Sequence, residues 1–432
     1  MKLPESLVAV CLALVGLVVI DLGLRKQTFH EPVGPAQAIW SPSPSPSPSP
    51  SPSPHAEAIC PWQRAEQHLL PMPAGVGAAH ASSLVVLPPA HPDHARTSVI
   101  AFWFAGTRES AADVNIVASR LDRTTGQWSP AYTVVDRQMA GRALGVRLRR
   151  LGNPVAWADA TGRLHLFVVG TGLGGWAASR VVHLQEDSRH AQGLWSPVRI
   201  LPLTPLVPAL NTSVLVRTAP MPLSDGGALL PVYFELGMKY SAVLRLGPQG
   251  EMLGMQRITQ RHDVLQPTLV PLSETHWMAY HRNQGPSRRM AVSQTTDGGV
   301  HWHDLPDAMY SNADSSVAAL RTQQGTAVML HNPAEQGRRV LSWSEGRGEV
   351  NATTWTTRSV MEGQGAEEYS YPSLVQLPAQ PSGAATQSQR APQNPQMPPQ
   401  PDAAPHPGDL WISYTHRRQA IAVERWVARC AP

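Results

Sequence analysis

A tryptophan-bearing turn that recurs along the chain constrains its fold more than any other feature. Gly126-Gln127-Trp128-Ser129-Pro130 returns as Gly193-Leu194-Trp195-Ser196-Pro197, and a related turn, 295–302, again ends on tryptophan. A weaker copy ends at Trp355, and Trp426 marks another. The chain holds 13 Trp against only five Phe, and five of those tryptophans mark the repeat. The interval from Trp195 to Trp302 is twice that from Trp302 to Trp355, so a unit without its tryptophan is expected near residues 247–252. A period of about 50–65 residues built from short strands describes propeller blades, none of which can bury both faces alone.

The strands are readable between the turns. Segments 98–104, 115–120, 164–169, 228–234, 277–281, 326–331 and 410–414 are short, rich in apolar residues, and bounded by Gly, Pro, Asp or Asn. No amphipathic helix of convincing length interrupts them. The expected class is all-β, and hydrophobic residues at 42% suffice for one large core.

Two low-complexity tracts account for much of the 42 Pro. Residues 41–54 are consecutive Ser-Pro pairs, an extended polyproline-like spacer with no core to bury. Residues 379–408, rich in Pro, Gln and Ala, read as a disordered insertion between two strands. Residues 6–20 are continuously apolar or small, enough for a marginal membrane span. The expected organisation is an anchor or signal peptide over 1–26, a disordered linker over 27–58 and a propeller over 59–432. That arrangement places the domain on a membrane facing the periplasm or cell exterior, with secretion after cleavage as the alternative.

Cys60 and Cys430 stand at the two ends of the propeller region, and Cys11 lies in the apolar segment. A ring brings its termini together, so Cys60 and Cys430 are candidates for a closing disulfide in an oxidising compartment. The formal net charge of +4 and the scattered Arg pairs, Arg149-Arg150 and Arg338-Arg339, argue against nucleic-acid binding. The pairs His91/His94 and His301/His303 have ligand-like spacing but no companion Cys or carboxylate in a metal-site pattern, so no metal or cofactor is expected. A monomer is expected.

The segment 295–302 matches the Ser/Thr-x-Asp-x-Gly-x-x-Trp turn called the Asp-box. Further matching segments are His80-Ala81-Ser82-Ser83-Leu84, Gly106-Thr107-Arg108-Glu109 with Asp113-Val114-Asn115, Gly152-Asn153-Pro154, Gln266-Pro267, His281-Arg282-Asn283, Tyr371-Pro372-Ser373 and Tyr414-Thr415-His416-Arg417-Arg418. On these the chain resembles the bacterial sialidase-like family, also described as BNR-repeat-like or predicted neuraminidases. The resemblance implies a six-bladed β-propeller and an exo-glycosidase removing a terminal acidic sugar from a glycan. A non-catalytic propeller that binds a glycan or protein at the cell envelope is the alternative, and a lyase on the same scaffold is a third option.

The substrate of such enzymes carries a carboxylate beside its anomeric carbon, which would repel an Asp or Glu nucleophile; a neutral Tyr assisted by a carboxylate serves instead. Three Arg clamp the sugar carboxylate. By resemblance, Asp113 falls on the acid/base position and Tyr371 on the nucleophile. Arg282 and Arg339 (or its neighbour Arg338) fall on two clamp positions. Arg108, Glu109 and Arg418 are expected to line the pocket. His80 stands where the first clamp Arg is expected, and Gln266 where the Glu that activates the Tyr is expected. A Gln orients a phenol but cannot take its proton. Glu235, Glu367 and Glu368 are the carboxylates available to compensate.

Overall fold

The computed structural model describes residues 61–429 apart from 173–174, 188–192, 202–212, 236–238, 313, 335, 347–354 and 380–403, together with 34–39 and parts of 10–20. Its strands form six antiparallel sheets. The first blade holds β2 (Ala78–Val86), β3 (Thr97–Gly106), β4 (Asn115–Asp122) and β5 (Tyr132–Val135). The second holds β6 (Arg150–Ala158), β7 (Leu164–Gly172), β8 (Gly175–Asp187) and β9 (Leu194–Ile200). The third comprises β10 (Val214–Val216), β11 (Met221–Pro222), β12 (Ala228–Phe234), β13 (Tyr240–Leu246) and β14 (Met252–Arg257). The fourth is β15 (Val264–Pro271), β16 (Trp277–Asn283), β17 (Ala291–Thr295) and β18 (His303–Leu305). The fifth is β19 (Ala318–Arg321), β20 (Ala327–His331), β21 (Val340–Gly346) and β22 (Thr356–Glu362).

The sixth blade closes the ring. Its strands β23 (Tyr369–Gln376), β24 (Leu410–His416) and β25 (Ala420–Ala428) are completed by β1 (Trp62–Leu69), which pairs with β25. Trp62 lies opposite Ala428, and the Arg429 N–H donates to the Pro61 carbonyl at 3.1 Å. The two chain ends therefore meet; Cys60 and Cys430 lie outside the described residues. Most of the 379–408 insertion also lies outside them, in the connection from β23 to β24.

The tryptophan repeat works as a set of staples between sheets. Trp195 meets Phe102 of the first blade edge-on at 5.4 Å, and Trp128 meets Trp411 of the last at 5.8 Å. Trp355 packs on Tyr280 at 6.2 Å, and Trp426 stacks on Trp343 at 4.6 Å. Such pairs contribute about 0.5–1.5 kcal/mol each beyond the area they bury. The blade without a tryptophan is the third: its β13–β14 turn spans 247–251, and Met252 and Met255 fill the place against the core.

The Asp-box builds the turn between β17 and β18. Asp297 accepts from the His301 backbone N–H at 2.9 Å, and the Gly299 N–H donates to Thr295 Oγ1 at 3.0 Å. Gly299 has φ 90°, and a Cβ there would lie 2.9 Å from the Trp277 ring, so only glycine serves. Because β16 runs from Trp277 to Asn283, this turn sits at the opposite end of the blade from Arg282.

Two elements differ from the sequence reading. Residues 34–39, placed in the disordered linker, lie along the Asp-box end: the Ala36 N–H donates to the Gly298 carbonyl at 3.0 Å, and Ala36 and Ala38 are buried. Two small apolar residues at alternate positions fit a narrow groove. A helix absent from the reading, α1 (Arg137–Leu144), is capped by Asp136, which accepts from the N–H groups of Gln138 and Met139, and stops at Gly145 with φ 65°. At only eight residues it left little periodicity to read. Among the described residues no helix is long and apolar enough to cross a membrane.

Candidate functional site

The innermost strands share one device. Ala81, Asn153, Gln266 and Tyr371 all take positive φ, between 42° and 54°, and each sits in a bulge where its strand slips register against its neighbour. Ser213 and Asp314 adopt the same conformation just before β10 and β19. For non-glycine residues this costs of order 1–3 kcal/mol each. The surroundings supply compensation: the hydroxyl two residues past the bulge accepts a backbone N–H from the next blade. Ser83 accepts from Ala156 at 3.2 Å, Thr268 from Ala319 at 3.1 Å and Ser373 from Leu84 at 3.0 Å. The Asn153-Pro154, Gln266-Pro267 and Tyr371-Pro372 motifs are thus one position in three blades. All their bulges lie at the same end of the ring and aim side chains at its axis.

Tyr371 sits at the centre. Its hydroxyl accepts from Arg282 Nη1 at 3.2 Å. The Arg217 and Arg338 guanidinium carbons lie 5.2 and 5.3 Å from its ring centroid, and the His80 ring lies 4.4 Å away. Burial opposes ionisation of the phenol, but Arg282 and then Arg338 bring it below the ordinary tyrosine value. Arg282 also donates to Gln266 Oε1 at 3.3 Å and to Asp314 Oδ1 at 2.6 Å. Burial works against its charge, yet Tyr371 and Asp314 hold it above the usual arginine range. Gln266 in turn donates to the Tyr233 hydroxyl at 3.2 Å, which also accepts from Asn153 at 3.4 Å. A continuous polar chain therefore links the bulges of the second, fourth and sixth blades.

Arg338, not Arg339, is the second arginine beside Tyr371. It donates to Ser315 Oγ at 3.0 Å, to the Asp314 carbonyl at 2.8 Å and to Glu368 Oε1 at 3.2 Å. Arg339, the next residue in the bend before β21, instead meets Glu362 at 3.6 Å beside the exposed edge of β21 and β22.

Glu368 organises the wall opposite Arg282. Besides Arg338 it accepts from Ser370 Oγ and from Arg418 Nε at 2.6 Å, and His80 Nε2 lies 4.0 Å away. Burial raises its pKa, but Ser370, His80, Arg338 and Arg418 together pull it down to about 2. His80 is 3% exposed, with no partner on Nδ1 among the described residues. Burial lowers it to about 3, so the imidazole is neutral at physiological pH and brings no charge to the place where a clamp arginine was expected. Arg418 continues to Glu109 at 2.9 Å. On the His80 and Arg418 side of this cluster opens a pocket of about 380 Å³ that Glu109, Arg108 and Phe104 also line; Tyr371, Arg282 and Arg338 are not among its lining residues.

Two further groups were not read from the sequence. Arg217 is 2% exposed beneath Tyr371, where it donates to the carbonyls of Ser82 and Pro372 at 3.1 and 2.9 Å. Burial lowers its pKa to about 10, leaving it charged at neutral pH. An arginine directly after the apolar Val214-Leu215-Val216 was the available signal. Asp314, which orients Arg282, follows no motif. Of the three compensating carboxylates, Glu368 reaches the site. Glu367 binds Arg417 and Tyr369 at 2.9 Å each. Glu235 is half-buried, and burial raises its pKa.

No carboxylate lies within hydrogen-bonding reach of the Tyr371 hydroxyl among the described residues. Asp113 is exposed in the β3–β4 loop, where its two oxygens accept from the Thr107 N–H and hydroxyl at 3.0 Å each. Slight desolvation raises its pKa, but the two Thr107 bonds outweigh it and hold the carboxyl below the usual aspartate value.

Residues 97–382 match the family described as BNR repeat-like domain, and the chain belongs to that family. No curated protein matches it. Among solved structures it is similar to the Hadza microbial sialidase Hz136, at 14% identity and a TM-score of 0.57, over 81% of this chain and 65% of that one. A protein of unknown function from Dyadobacter fermentans matches at 12% identity and a TM-score of 0.60, over 85% and 99%. The Trypanosoma rangeli sialidase, in complex with 2,3-difluorosialic acid as a covalent intermediate, matches at 13% identity and a TM-score of 0.55, over 84% and 57%. The chain spans less than two thirds of the length of either sialidase. At such identities the likeness is one of fold: an all-β, six-bladed, sialidase-like propeller.

Proposed function

We propose that the axial cluster around Tyr371, with the pocket that adjoins it at His80, binds a carboxylate-bearing sugar, of sialic-acid or related type, at the end of a glycan. The observation that carries this reading is the gathering of Arg217, Arg282 and Arg338 around the ring and hydroxyl of Tyr371. Arg282 and Arg338 are held by Asp314 and Glu368, so their guanidinium groups are oriented before a ligand arrives. Calorimetric titration with methyl glycosides of ulosonic and uronic acids tests it. Saturable binding that Arg282→Met abolishes is expected; binding unaffected by Arg282→Met sinks the proposal.

Hydrolysis is the second reading, and the lowered pKa of the Tyr371 phenol favours it. A retaining mechanism would use Tyr371 as nucleophile and Asp113 as acid/base. Against it, Gln266 cannot accept the phenolic proton, and Asp113, held ionised by Thr107, has no proton to donate at neutral pH. Recognition without efficient cleavage is therefore favoured. Release of a fluorogenic aglycone from a sialoside, lost in Tyr371→Phe and Asp113→Ala, would reverse that order. We further propose that residues 1–26 carry the domain to the cell envelope; a reporter active only outside the cytoplasm, fused after residue 58, tests this.

A further inference from the structure

Beside the 380 Å³ pocket that adjoins the axial cluster lies a larger recess of about 780 Å³, and the two share Arg108 and Ser110 in their walls. Five arginines line it: Arg108, Arg137, Arg147, Arg149 and Arg150. Asp113 is the one acidic residue among its lining residues, and its two oxygens are engaged by Thr107. Arg137 is fixed through Nε to the Ala112 carbonyl at 2.7 Å. Arg108 is attracted to Asp113, whereas the side chains of Arg147, Arg149 and Arg150 have no hydrogen-bond or ion-pair partner among the described residues. Four of the five come from one short stretch: α1, then the loop after its Gly145 cap, which carries Arg147 and Arg149 into β6 at Arg150.

Unpaired guanidinium groups converging on a recess make a site for anionic substituents, since each offers a planar fork of donors matching carboxylate or sulfate. No aromatic side chain lines the recess, which removes the stacking platform a single-stranded nucleic acid needs. Its walls include one buried leucine, Leu148, and no apolar face for a lipid surface. We propose that this recess is a subsite for the sulfate or carboxylate groups of a polyanionic glycan chain, whose acidic end sugar occupies the axial pocket. The inference rests on the proposed axial function for that end sugar only.

The test uses the full chain and four probes: a singly charged acidic methyl glycoside, a sulfated uronate hexasaccharide, inorganic sulfate and a single-stranded RNA. The hexasaccharide is expected to bind at least about tenfold more tightly than the glycoside. Arg147→Ala/Arg149→Ala, both exposed positions, is expected to erase that gain while leaving glycoside affinity within about twofold and the melting temperature unchanged. Hexasaccharide binding unaltered by the double variant overturns the subsite. So does RNA or inorganic sulfate binding as tightly as the hexasaccharide with the same dependence on Arg147 and Arg149. If the glycoside fails to bind while the hexasaccharide still depends on these arginines, the axial reading falls and the subsite stands.

Discussion

The axial pocket and the recess beside it are both built from arginine, but in opposite states. Around the axis, Arg282, Arg338 and Arg418 are tied to Asp314, Glu368 and Glu109 and fixed in direction. In the recess, Arg147 and Arg149 stand exposed with no counter-ion among the described residues. Paired arginines give orientation: the carboxylates sacrifice net charge but set geometry. Unpaired ones give attraction at longer range, screened within about 10 Å at ordinary salt. The axial site is therefore suited to selecting one sugar, and the recess to holding whatever charges follow it.

The largest expected effect breaks the axial half. Arg282→Met removes the donor to Tyr371 and Gln266 and the partner of Asp314, and should weaken acidic-sugar binding at least about 100-fold in calorimetry. Arg282→Lys should recover little, because an ammonium cannot span the same acceptors. Glu368→Gln comes next. It loosens Arg338 and Arg418 together, so affinity should fall about tenfold with little change in the salt dependence of what remains.

Gln266→Glu sharpens the comparison by altering the chemistry of the axis alone. A carboxylate in place of the Gln266 amide would still accept from Arg282 and would supply the base missing near Tyr371. Hydrolysis of a fluorogenic sialoside should rise above the native level if Tyr371 is a latent nucleophile. No rise would leave the pocket a binding site only.

A smaller effect separates the two regions by acid. His80 falls to about 3 in the folded chain against an ordinary 6.5, so the unfolded chain binds more protons between these values. Glu368 falls to about 2 against 4.5, so its contribution is present above 4.5 and lost as the pH drops toward 2. Both make the folded axis less stable on acidification. His183 and His281, also lowered to about 3 by burial, act in the same sense. The melting temperature should fall as pH is lowered from 7 to 4, and less steeply in His80→Gln. An unchanged slope in His80→Gln would mean that His80 is charged or exposed.

Much of this was legible in the sequence, for identifiable reasons. The blade period, the missing tryptophan of the third blade and the strands all follow from alternating burial and turn residues, which are local signals. Tyr371, Gln266, Arg282 and His80, each in a motif at the end of an inner strand or its hairpin partner, lie together in the structure. Of the counter-ions, Glu109 and Glu368 were named and Asp314 was not. Asp314 and the burial of Arg217 depend on neighbours in other blades, which no local pattern reveals. The choice between Arg338 and Arg339 likewise turns on how the bend before β21 directs each side chain. The Arg149-Arg150 pair read as scattered charge, since only folding brings it beside Arg108 and Arg137.

The most direct test of the axial account is a crystal structure of the chain soaked with the methyl glycoside of a sialic acid. The expected result places the sugar carboxylate between Arg282 and Arg338, above the ring of Tyr371. A sugar bound in the arginine recess alone, or one seated on the axis with its carboxylate turned away from both guanidinium groups, would contradict it.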